Sequence, residues 1–324
     1  MTKATIAARA ADSLGSISGA DTAASEPQFA DGPIRRIGTA FADYIQLAKP
    51  GIIFGNLVSV AGGFFLAAHG QFHLILLLKV FAGVSLVIAG GCAFNNVIDR
   101  DIDGKMKRTR KRVLAQGRVS PAMALIYGVA LGAGGLGLLY GAVNPLSALL
   151  AAIGFVVYVG IYSFYLKRNS TYSTVVGSLS GAMPPVIGYV AISGHFDLGA
   201  ALLLLTFSLW QMPHSYAIGI LYRDDYAAAS IPVLPVRHGL KTARRHILAY
   251  IAAFVAAASG LTVAGYTGYA YLAVAILGGA YWFSMALPVP EEGDVRRWAR
   301  RLFGFSILII LALSLLMGID YRVV

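Results

Sequence analysis

Residues 74–103 have the sequence LILLLKVFAGVSLVIAGGCAFNNVIDRDID. The part up to Phe94 is almost entirely apolar and approaches the roughly 20 residues that a helix needs to cross a bilayer. Asn95, Asp99 and Asp103 follow at intervals of four residues, which places three oxygen-bearing side chains on one helix face, one turn apart. Carboxylates at the mouth of a membrane helix are costly unless a cation or a partner compensates them. The stretch therefore predicts a membrane-spanning helix that ends in a polar site.

The row formed by Asn95, Asp99 and Asp103, called the acidic row below, has the ligand chemistry of a magnesium site. Mg²⁺ binds through a few hard oxygen ligands while a substrate phosphate completes its shell. The row therefore favours diphosphate chemistry at a membrane surface. The simpler interpretation is a solvated loop whose acidic residues balance neighbouring cations. Acidic residues near a helix C-terminus oppose the helix dipole, so their dense repetition here favours a site.

The composition indicates a polytopic membrane protein. The 324 residues are 57% hydrophobic and 13% charged, with a mean hydropathy of +0.70, whereas soluble domains are about a quarter charged. The net charge of +11 does not indicate a nucleic-acid partner, because the basic residues lie in short loops between apolar runs. The single cysteine, Cys92, excludes an intrachain disulfide framework and a multi-cysteine metal site.

The apolar runs predict an all-α protein with nine transmembrane helices. No strand pattern and no soluble domain is recognisable in the sequence. We expect a single transmembrane domain at 41–320, preceded by a mobile cytoplasmic tail at 1–40, with an interfacial lead-in helix near 34–50. The nine runs lie near 51–68, 74–94, 122–141, 146–166, 173–192, 198–220, 246–265, 268–287 and 303–319.

The loops alternate in charge, which predicts the orientation. Five Lys or Arg residues lie in 1–50, eight in 95–121, two in 167–172, five in 221–245 and four in 291–301, whereas the intervening loops have none. By the positive-inside rule the N-terminus is cytoplasmic and the C-terminus is on the far side. An odd number of spans requires the same arrangement.

Two further groups of charges are predicted on the cytoplasmic side. The basic run at 105–112 is typical of a topology signal, but Arg110 and Arg112 are also suited to bidentate recognition of a diphosphate. Asp224 and Asp225 follow the sixth span, on the same side as the acidic row. Two acidic clusters at two helix ends could hold a metal-bridged diphosphate between them, whereas the simpler interpretation is a local surface ion pair.

Polar groups also occur inside the spans. His214 lies in the sixth span within WQMPHSY, and an ionisable residue in a membrane helix usually faces a cavity or a partner. It is either a substrate-binding residue, which could ligate a metal in the substrate, or a hydrogen-bonded structural histidine. Asn56 in the first span either contributes to helix packing or lines a cavity. The paired prolines Pro184 and Pro185 break the fifth span, for packing or for lining a cavity.

The chain resembles the intramembrane aromatic prenyltransferase superfamily. The characteristic motifs of that superfamily are N-x-x-x-D-x-x-x-D after the second span and a second acidic motif after the sixth. More narrowly it is similar to the heme-farnesylating branch, across about residues 41–320. The matching segments are AKPGIIFGNL at 48–57, CAFNNVIDRDID at 92–103, GSLSGAMPPVIGY at 177–189, SLWQMPHSYAIGI at 208–220, DYAAASIPVLPV at 225–236 and RRWARRLFGFSI at 296–307.

The resemblance implies a nine-helix bundle around a central cavity that opens toward the cytoplasm and the lipid. It implies farnesyl diphosphate as donor, Mg²⁺ as cofactor, heme B as acceptor and heme O as product. It also implies a bacterial inner membrane location, with heme A synthase or terminal oxidase assembly as protein partners. The expected catalytic and metal-binding residues are Asn95, Asp99, Asp103 and Asp225, and the expected substrate-binding residues are Arg110, Arg112, Arg223, His214, Asn96 and Asn56.

The second acidic motif departs from the superfamily pattern, and two alternative functions fit the sequence. Other branches often have two acids four residues apart in the second motif, but here Ala229 follows Asp225 at that distance, which puts a second firmly held Mg²⁺ in doubt. A prenyltransferase acting on a phenolic or quinone precursor would share the acidic row without needing heme. A transporter would also have broken helices, but its polar groups would be expected at the midplane instead of at one face.

Overall fold

The computed structural model describes residues 33–322, and the side chains within 41–322 other than Glu292. In this range every regular element is a helix, so the predicted all-α class is confirmed. The helices in chain order are α1 (Pro33–Ala48), α2 (Pro50–Ala68), α3 (Leu74–Ile98), α4 (Arg100–Asp103), α5 (Pro121–Ala142), α6 (Pro145–Val156), a π-helix (Val157–Leu166), α7 (Lys167–Asn169), α8 (Ser173–Gly181), α9 (Met183–Ser193), α10 (Leu198–Leu221), α11 (Arg223–Ala228), α12 (Leu234–Arg237), α13 (Gly239–Val263), α14 (Tyr269–Ala286), a 3₁₀ turn (Glu292–Asp294) and α15 (Val295–Ile319).

The N-terminal predictions fall largely outside the described residues. The proposed mobile tail at 1–40 is described only from Pro33, where α1 begins, so it stays a prediction. The predicted lead-in helix near 34–50 corresponds to α1. From Ala42 the described chain forms one compact unit, and the following account is confined to that unit.

Eight helical segments of the described chain are long and apolar enough to cross a membrane, which agrees with a polytopic membrane protein. The predicted sixth span, α10, is a continuous helix of 24 residues but is not among the eight. Its second half includes Gln211 and His214, which lower its hydropathy. The count of nine spans therefore stays a prediction. The eight segments are Pro50–Ala68, Leu74–Ile98, Pro121–Ala142, Pro145–Asn169, Ser173–Ser193, Gly239–Val263, Tyr269–Ala286 and Val295–Ile319.

Two of the spans are not regular α-helices. The fourth continues from α6 into a π-helix of 10 residues, Val157–Leu166. π-helical segments are rare and are frequent at functional sites. The fifth span is interrupted at Ala182, between α8 and α9, next to the paired prolines that predicted the break. Both irregular segments line the large cavity described below.

Glycines allow close contact between the spans. A Cβ atom at Gly63 in α2 would overlap the carbonyl oxygen of Pro185 in α9, and one at Gly188 in α9 would overlap the carbonyl oxygen of Val60. The two backbones therefore touch, as small residues permit in membrane helices. This contact fixes α2 against the broken fifth span, which forms one wall of the large cavity.

The basic loops that were predicted on one side do meet in the structure. Lys167, at the end of the fourth span, forms an ion pair with Asp99, at the end of the second. Arg296, at the start of the last span, forms an ion pair of 2.6 Å with Asp224 after α10. These contacts support the predicted alternation of the loops. Which side is cytoplasmic stays a prediction.

Candidate functional site

The acidic row lies where α3 ends and α4 begins. α3 is regular to Ile98, and Asp99 then joins it to the single turn of α4. Asn95, Asp99 and Asp103 are 4%, 0% and 1% exposed, so these side chains are not part of a solvated loop. Burial of this kind requires a compensating partner for each charged group. The interpretation as loop charges in solvent is therefore not supported by the fold.

Hydrogen bonds connect Asn95 to Asp99 in the row and to two other parts of the chain. Asn95 Nδ2 donates to Asp99 Oδ2 at 2.8 Å and to Ser163 Oγ, in the π-helix, at 3.2 Å. Lys49 Nζ, between α1 and α2, donates to Asn95 Oδ1 at 2.9 Å. Asn95 is thus held at once by the residue that precedes the first span, by Asp99 at the end of its own span and by the fourth span. Its side chain has little freedom to leave the row.

Two cations compensate the two carboxylates. Lys167 Nζ forms an ion pair with Asp99 Oδ2. Arg112 Nη1 donates to Asp103 Oδ1 at 2.9 Å and to Oδ2 at 2.8 Å. A buried carboxylate without such a partner would be strongly destabilising. The energetic cost that the sequence predicted for carboxylates at the end of a membrane helix is therefore offset by two cations. Lys167 comes from the end of the fourth span, and Arg112 comes from the loop between α4 and α5.

The donor set of the row fits a hard divalent cation. Asp99 Oδ1 is buried and has no hydrogen-bond partner among the described residues, so one carboxylate oxygen is available to a ligand. Amide and carboxylate oxygens are the ligands that Mg²⁺ prefers. No cluster of three Asp, Glu, His or Cys side chains able to hold a metal occurs within the described range. Because Lys167 engages Asp99 Oδ2 and Arg112 engages both oxygens of Asp103, Asp103 could join Asp99 Oδ1 in holding a metal only if Arg112 moved to another anion.

The second acidic motif lies against the loop that follows the first. Asp225 accepts hydrogen bonds from the backbone N–H groups of Lys107 (3.1 Å) and Arg108 (3.2 Å). Its neighbour Asp224 instead pairs with Arg296 and is exposed. The guanidinium of Arg108 lies 4.7 Å from the ring centroid of Tyr222. Of the adjacent pair, only Asp225 is therefore directed toward the loop after the acidic row.

A large cavity opens beside this polar end of the bundle. Its volume is about 350 Å³, and most of the residues around it are apolar or small. Tyr158 and Tyr162 of the π-helix line it with their rings stacked at 5.9 Å. Lys167 also lines it, so the cation that pairs with Asp99 connects the cavity to the acidic row. The other polar side chains on the wall are Asn56, Ser173, Thr174, Ser178, Ser180, Gln211, Ser215, Tyr216 and Tyr226.

A smaller cavity of about 210 Å³ is lined by cations and is called the basic cavity here. Lys49, Arg108, Lys111 and Arg112 surround it, together with the buried Asn96. Burial lowers the pKa of Lys49 to about 8, and the positive charge of Arg112 acts in the same direction. The concentration of positive charge suits an anion such as a phosphate group.

His214 does not line the large cavity. Its Nδ1 lies 2.7 Å from Ser306 Oγ in α15, and its ring lies between those of Trp210 and Phe303, with both centroids at 4.9 Å. Ser306 Oγ itself donates to the carbonyl of Phe303, so it accepts the proton of Nδ1, and Nε2 keeps a free lone pair. The helical face that includes Gln211 and Ser215 is the one that borders the cavity.

The other predicted substrate-binding residues lie in three different places: the large cavity, the basic cavity and the surface. Asn56 is on the wall of the large cavity, where its Nδ2 donates to the carbonyl of Ile52. Asn96 borders the basic cavity and donates to the carbonyls of Leu47 and Cys92. Arg112 lines the basic cavity. Arg110 and Arg223 are exposed and line neither cavity.

Sequence analysis missed three residues that the fold brings to the acidic row. Lys49 lies directly before Pro50 in the segment AKPG, whereas Ser163 and Lys167 lie near the end of the fourth span. A lone lysine at a span end looks like a topology signal, so nothing local marked Lys49 or Lys167. The signal that could have pointed to the two lysines is the acidic row itself, because its carboxylates need cations. Basic residues at the ends of the other spans were the candidates for that role.

Comparisons with known proteins agree with this architecture. The model of the UbiA prenyltransferase family matches residues 56–310. The chain is 58% identical over 280 residues to protoheme IX farnesyltransferase 2 of Pseudomonas fluorescens strain Pf0-1, covering 86% of this chain and 95% of that protein. It is 56% identical over 283 residues to protoheme IX farnesyltransferase of Escherichia coli O1:K1, covering 87% and 96%.

Solved structures share the fold at low sequence identity. A digeranylgeranylglyceryl phosphate synthase structure has a TM-score of 0.70 at 16% identity, covering 86% of this chain and 98% of that one. A UbiA homolog from Archaeoglobus fulgidus bound to GPP and Mg²⁺ has a TM-score of 0.60 at 16% identity, covering 85% and 99%. These similarities show that the helical bundle described above is a shared fold.

Proposed function

This chain belongs to the UbiA prenyltransferase family, and from that premise we propose that it transfers the farnesyl group of farnesyl diphosphate to a vinyl group of heme B. Water is added in the same reaction, and the products are heme O and diphosphate. The names of the relatives from Pseudomonas fluorescens and Escherichia coli support this choice of donor and acceptor. The single observation that carries the proposal is Lys167, which borders the large apolar cavity and pairs with Asp99 of the acidic row.

The acidic row is our proposed site for the diphosphate end of the donor. Asn95, Asp99 and Asp103 would hold Mg²⁺ on one side, with Asp225 on the other. The bound ion would supply neutralising charge to the leaving diphosphate. The Archaeoglobus fulgidus homolog, which was solved with GPP and Mg²⁺, supports this assignment by analogy of fold. The unpaired Oδ1 of Asp99 supports it independently.

The cations exchange partners in this proposal. Lys167 and Arg112 compensate Asp99 and Asp103 before the substrate arrives, and they turn to the diphosphate oxygens when it binds. Arg112 and Lys49 both border the basic cavity. When Arg112 turns to the diphosphate, Lys49 lies beside it and adds positive charge near the leaving group. Cations held against the negative charge that develops on the leaving group lower the barrier to its departure.

The apolar cavity has two tasks in this reaction. Its walls receive the isoprenoid chain and exclude bulk water from the allylic cation that forms at C1. The stacked rings of Tyr158 and Tyr162 present π-faces close to the polar end, where a cation is attracted to the ring quadrupole. The electron-rich vinyl group of the acceptor then attacks C1. His214 orients the acceptor in this proposal, through the free lone pair of Nε2.

The protein would act in a bacterial inner membrane with its active site on the cytoplasmic side. The contacts between the basic loops support a single polar face for the site. Surrounding lipid would supply the farnesyl chain laterally. Heme A synthase or the assembly machinery of a terminal oxidase would take up the product.

The decisive test is a product assay with detergent-purified protein, farnesyl diphosphate, heme B and Mg²⁺. We expect a porphyrin heavier than heme B by one farnesyl group and one hydroxyl group, detected by chromatography and mass spectrometry. EDTA should abolish its formation, and excess Mg²⁺ should restore it. Unchanged heme together with farnesyl transfer to an added phenolic acceptor would assign the chain to a different branch of the family.

The acidic row is tested in the same assay by Asp99→Ala. We expect turnover to fall by about 100-fold or more, because the variant loses the row's unpaired oxygen. Asp101→Asn is the matched control, since the carboxylate of Asp101 is exposed, lies outside the row and pairs with Arg168. Near-normal turnover in Asp99→Ala would remove Asp99 from the metal site.

A further inference from the structure

The proposed reaction needs one water molecule at a defined place in an apolar cavity. The large cavity excludes water over most of its wall, because its lining is mainly apolar. The cation that follows carbon–carbon bond formation would otherwise lose a proton and become an alkene. A polar group at the correct depth is therefore required to hold the water.

Gln211 has an unused hydrogen-bonding atom at this wall. Eight buried side-chain nitrogen or oxygen atoms of the described residues lack a hydrogen-bond partner. Gln211, whose unpartnered atom is Oε1, is the one of these residues that lines the large cavity. A buried amide oxygen without a partner costs free energy, which a bound water would recover.

The opposite helix leaves room for this amide. A Cβ atom at Gly181 in α8 would collide with the side-chain amide of Gln211. Gly181 therefore creates the space in which the polar group lies. Ser180, beside it, donates to the carbonyl of Gly177 at 2.8 Å, so its oxygen remains able to accept a hydrogen bond. Ser215, one turn after Gln211, lines the same wall.

The depth of the amide follows from two glycines in α8. A Cβ atom at Gly177 would lie 2.9 Å from the Tyr162 ring, and Gly181 faces the Gln211 amide four residues later. Four residues of helix correspond to about 6 Å. Tyr162 is next to Ser163, which accepts from Asn95 of the acidic row. The amide thus lies about one helical turn deeper along α8 than the diphosphate end. The reacting carbons would lie at this depth.

We infer that Gln211 positions the water that adds to the acceptor, an assignment that rests on the proposed function. The terminal vinyl carbon bonds to C1 of the farnesyl chain as the bond from C1 to diphosphate breaks, which leaves a cation on the carbon beside the pyrrole ring. The water oxygen donates a lone pair to that carbon, and its proton passes to the released diphosphate. Without a held water, the same cation loses a proton from the adjacent carbon to diphosphate and gives an alkene lighter by one water.

The test is the ratio of the two porphyrin products made by Gln211→Met, a variant of similar size that lacks the amide. We expect the ratio of hydrated to dehydrated product to fall by about tenfold, the effect of losing roughly one hydrogen bond. The full chain is used with farnesyl diphosphate, heme B and Mg²⁺, and mass spectrometry separates the products. The ratio is independent of the amount of folded protein.

Ser208→Ala is the matched control. Ser208 is in the same helix and also has a buried hydroxyl without a partner, but it does not line the cavity. The ratio of hydrated to dehydrated product made by Ser208→Ala should therefore equal that of the wild type. Gly181→Ala, which displaces the amide, should lower the ratio as Gln211→Met does, and it decides the question if Gln211→Met does not fold.

Three outcomes would overturn the inference. These are an unchanged ratio in Gln211→Met, a change as large in Ser208→Ala, and loss of both products from folded Gln211→Met protein. The last would assign the amide to substrate binding. Failure of the proposed function is distinct from all three, because wild-type protein would then form neither farnesylated porphyrin.

Discussion

Lys167, at the end of the fourth span, forms an ion pair with Asp99, at the end of the second, and the carboxylate of Asp99 is completely buried. Asp99 belongs to the acidic row, whereas Lys167 is on the wall of the large cavity. The pair therefore joins the two parts of the proposed site. It also makes the folded state dependent on a charge that the reaction is proposed to redirect.

Lys167→Met should destabilise the protein in the absence of metal, by about 3–5 kcal/mol, because it leaves a buried carboxylate without its cation. Adding Asp99→Asn to the same protein should recover most of that loss, since the charge is then absent. Thermal unfolding of the purified proteins in EDTA measures both effects. Turnover should remain low in the double variant, which separates the structural role from the catalytic one. Equal unfolding temperatures for wild type and Lys167→Met would contradict this coupling.

Arg112 and Arg110 are two residues apart but should differ in their effect on the donor substrate. Arg112 pairs with Asp103 and borders the basic cavity, whereas Arg110 is exposed. Arg112→Gln should lower kcat/KM for farnesyl diphosphate by about 10-fold to 100-fold, because a charged hydrogen bond to the diphosphate is lost. Arg110→Gln should change it little. Equal losses in the two variants would mean that the whole basic loop acts by its net charge.

His214→Ala should weaken binding of heme B more than binding of farnesyl diphosphate. Ser306 accepts the proton of Nδ1, so only Nε2 is free to meet an acceptor. Titration of the Soret absorbance measures heme affinity, and product formation at varied farnesyl diphosphate measures the donor. Unchanged heme affinity combined with a lower unfolding temperature would limit His214 to its packing between Trp210 and Phe303.

Gly63→Ala should destabilise the bundle by about 1–3 kcal/mol, the usual cost of overpacking a tight contact. Its new methyl group would overlap the backbone of Pro185, which cannot rotate away. Gly55→Ala is the control in the same helix, because a Cβ atom there meets nothing within 4 Å. Unfolding temperatures of the two variants give the comparison. Similar values would show that α2 and α9 are free to separate.

The local sequence predicted the helices better than their ends. Apolar runs predicted the cores of the spans, and the paired prolines predicted the break between α8 and α9. α15 begins at Val295, well before the apolar run at 303–319, because arginine-rich turns extend a helix into the polar layer without adding hydropathy. The π-helix at Val157–Leu166 has no comparable signal, since its residues are apolar in either helical geometry.

The sequence by itself determined the helical class, the acidic row and its oxygen chemistry, because the period of a helix places residues four apart on one face. It also implied that the carboxylates of the row need compensation. Only the tertiary structure decided which cations provide it. Lys49 and Lys167 are separated from Asn95 and Asp99 by 46 and 68 residues, and they meet them because helix packing brings the ends of different spans together. Hydrophobic periodicity specifies each helix, but the shapes of facing side chains and glycines specify which helices are neighbours.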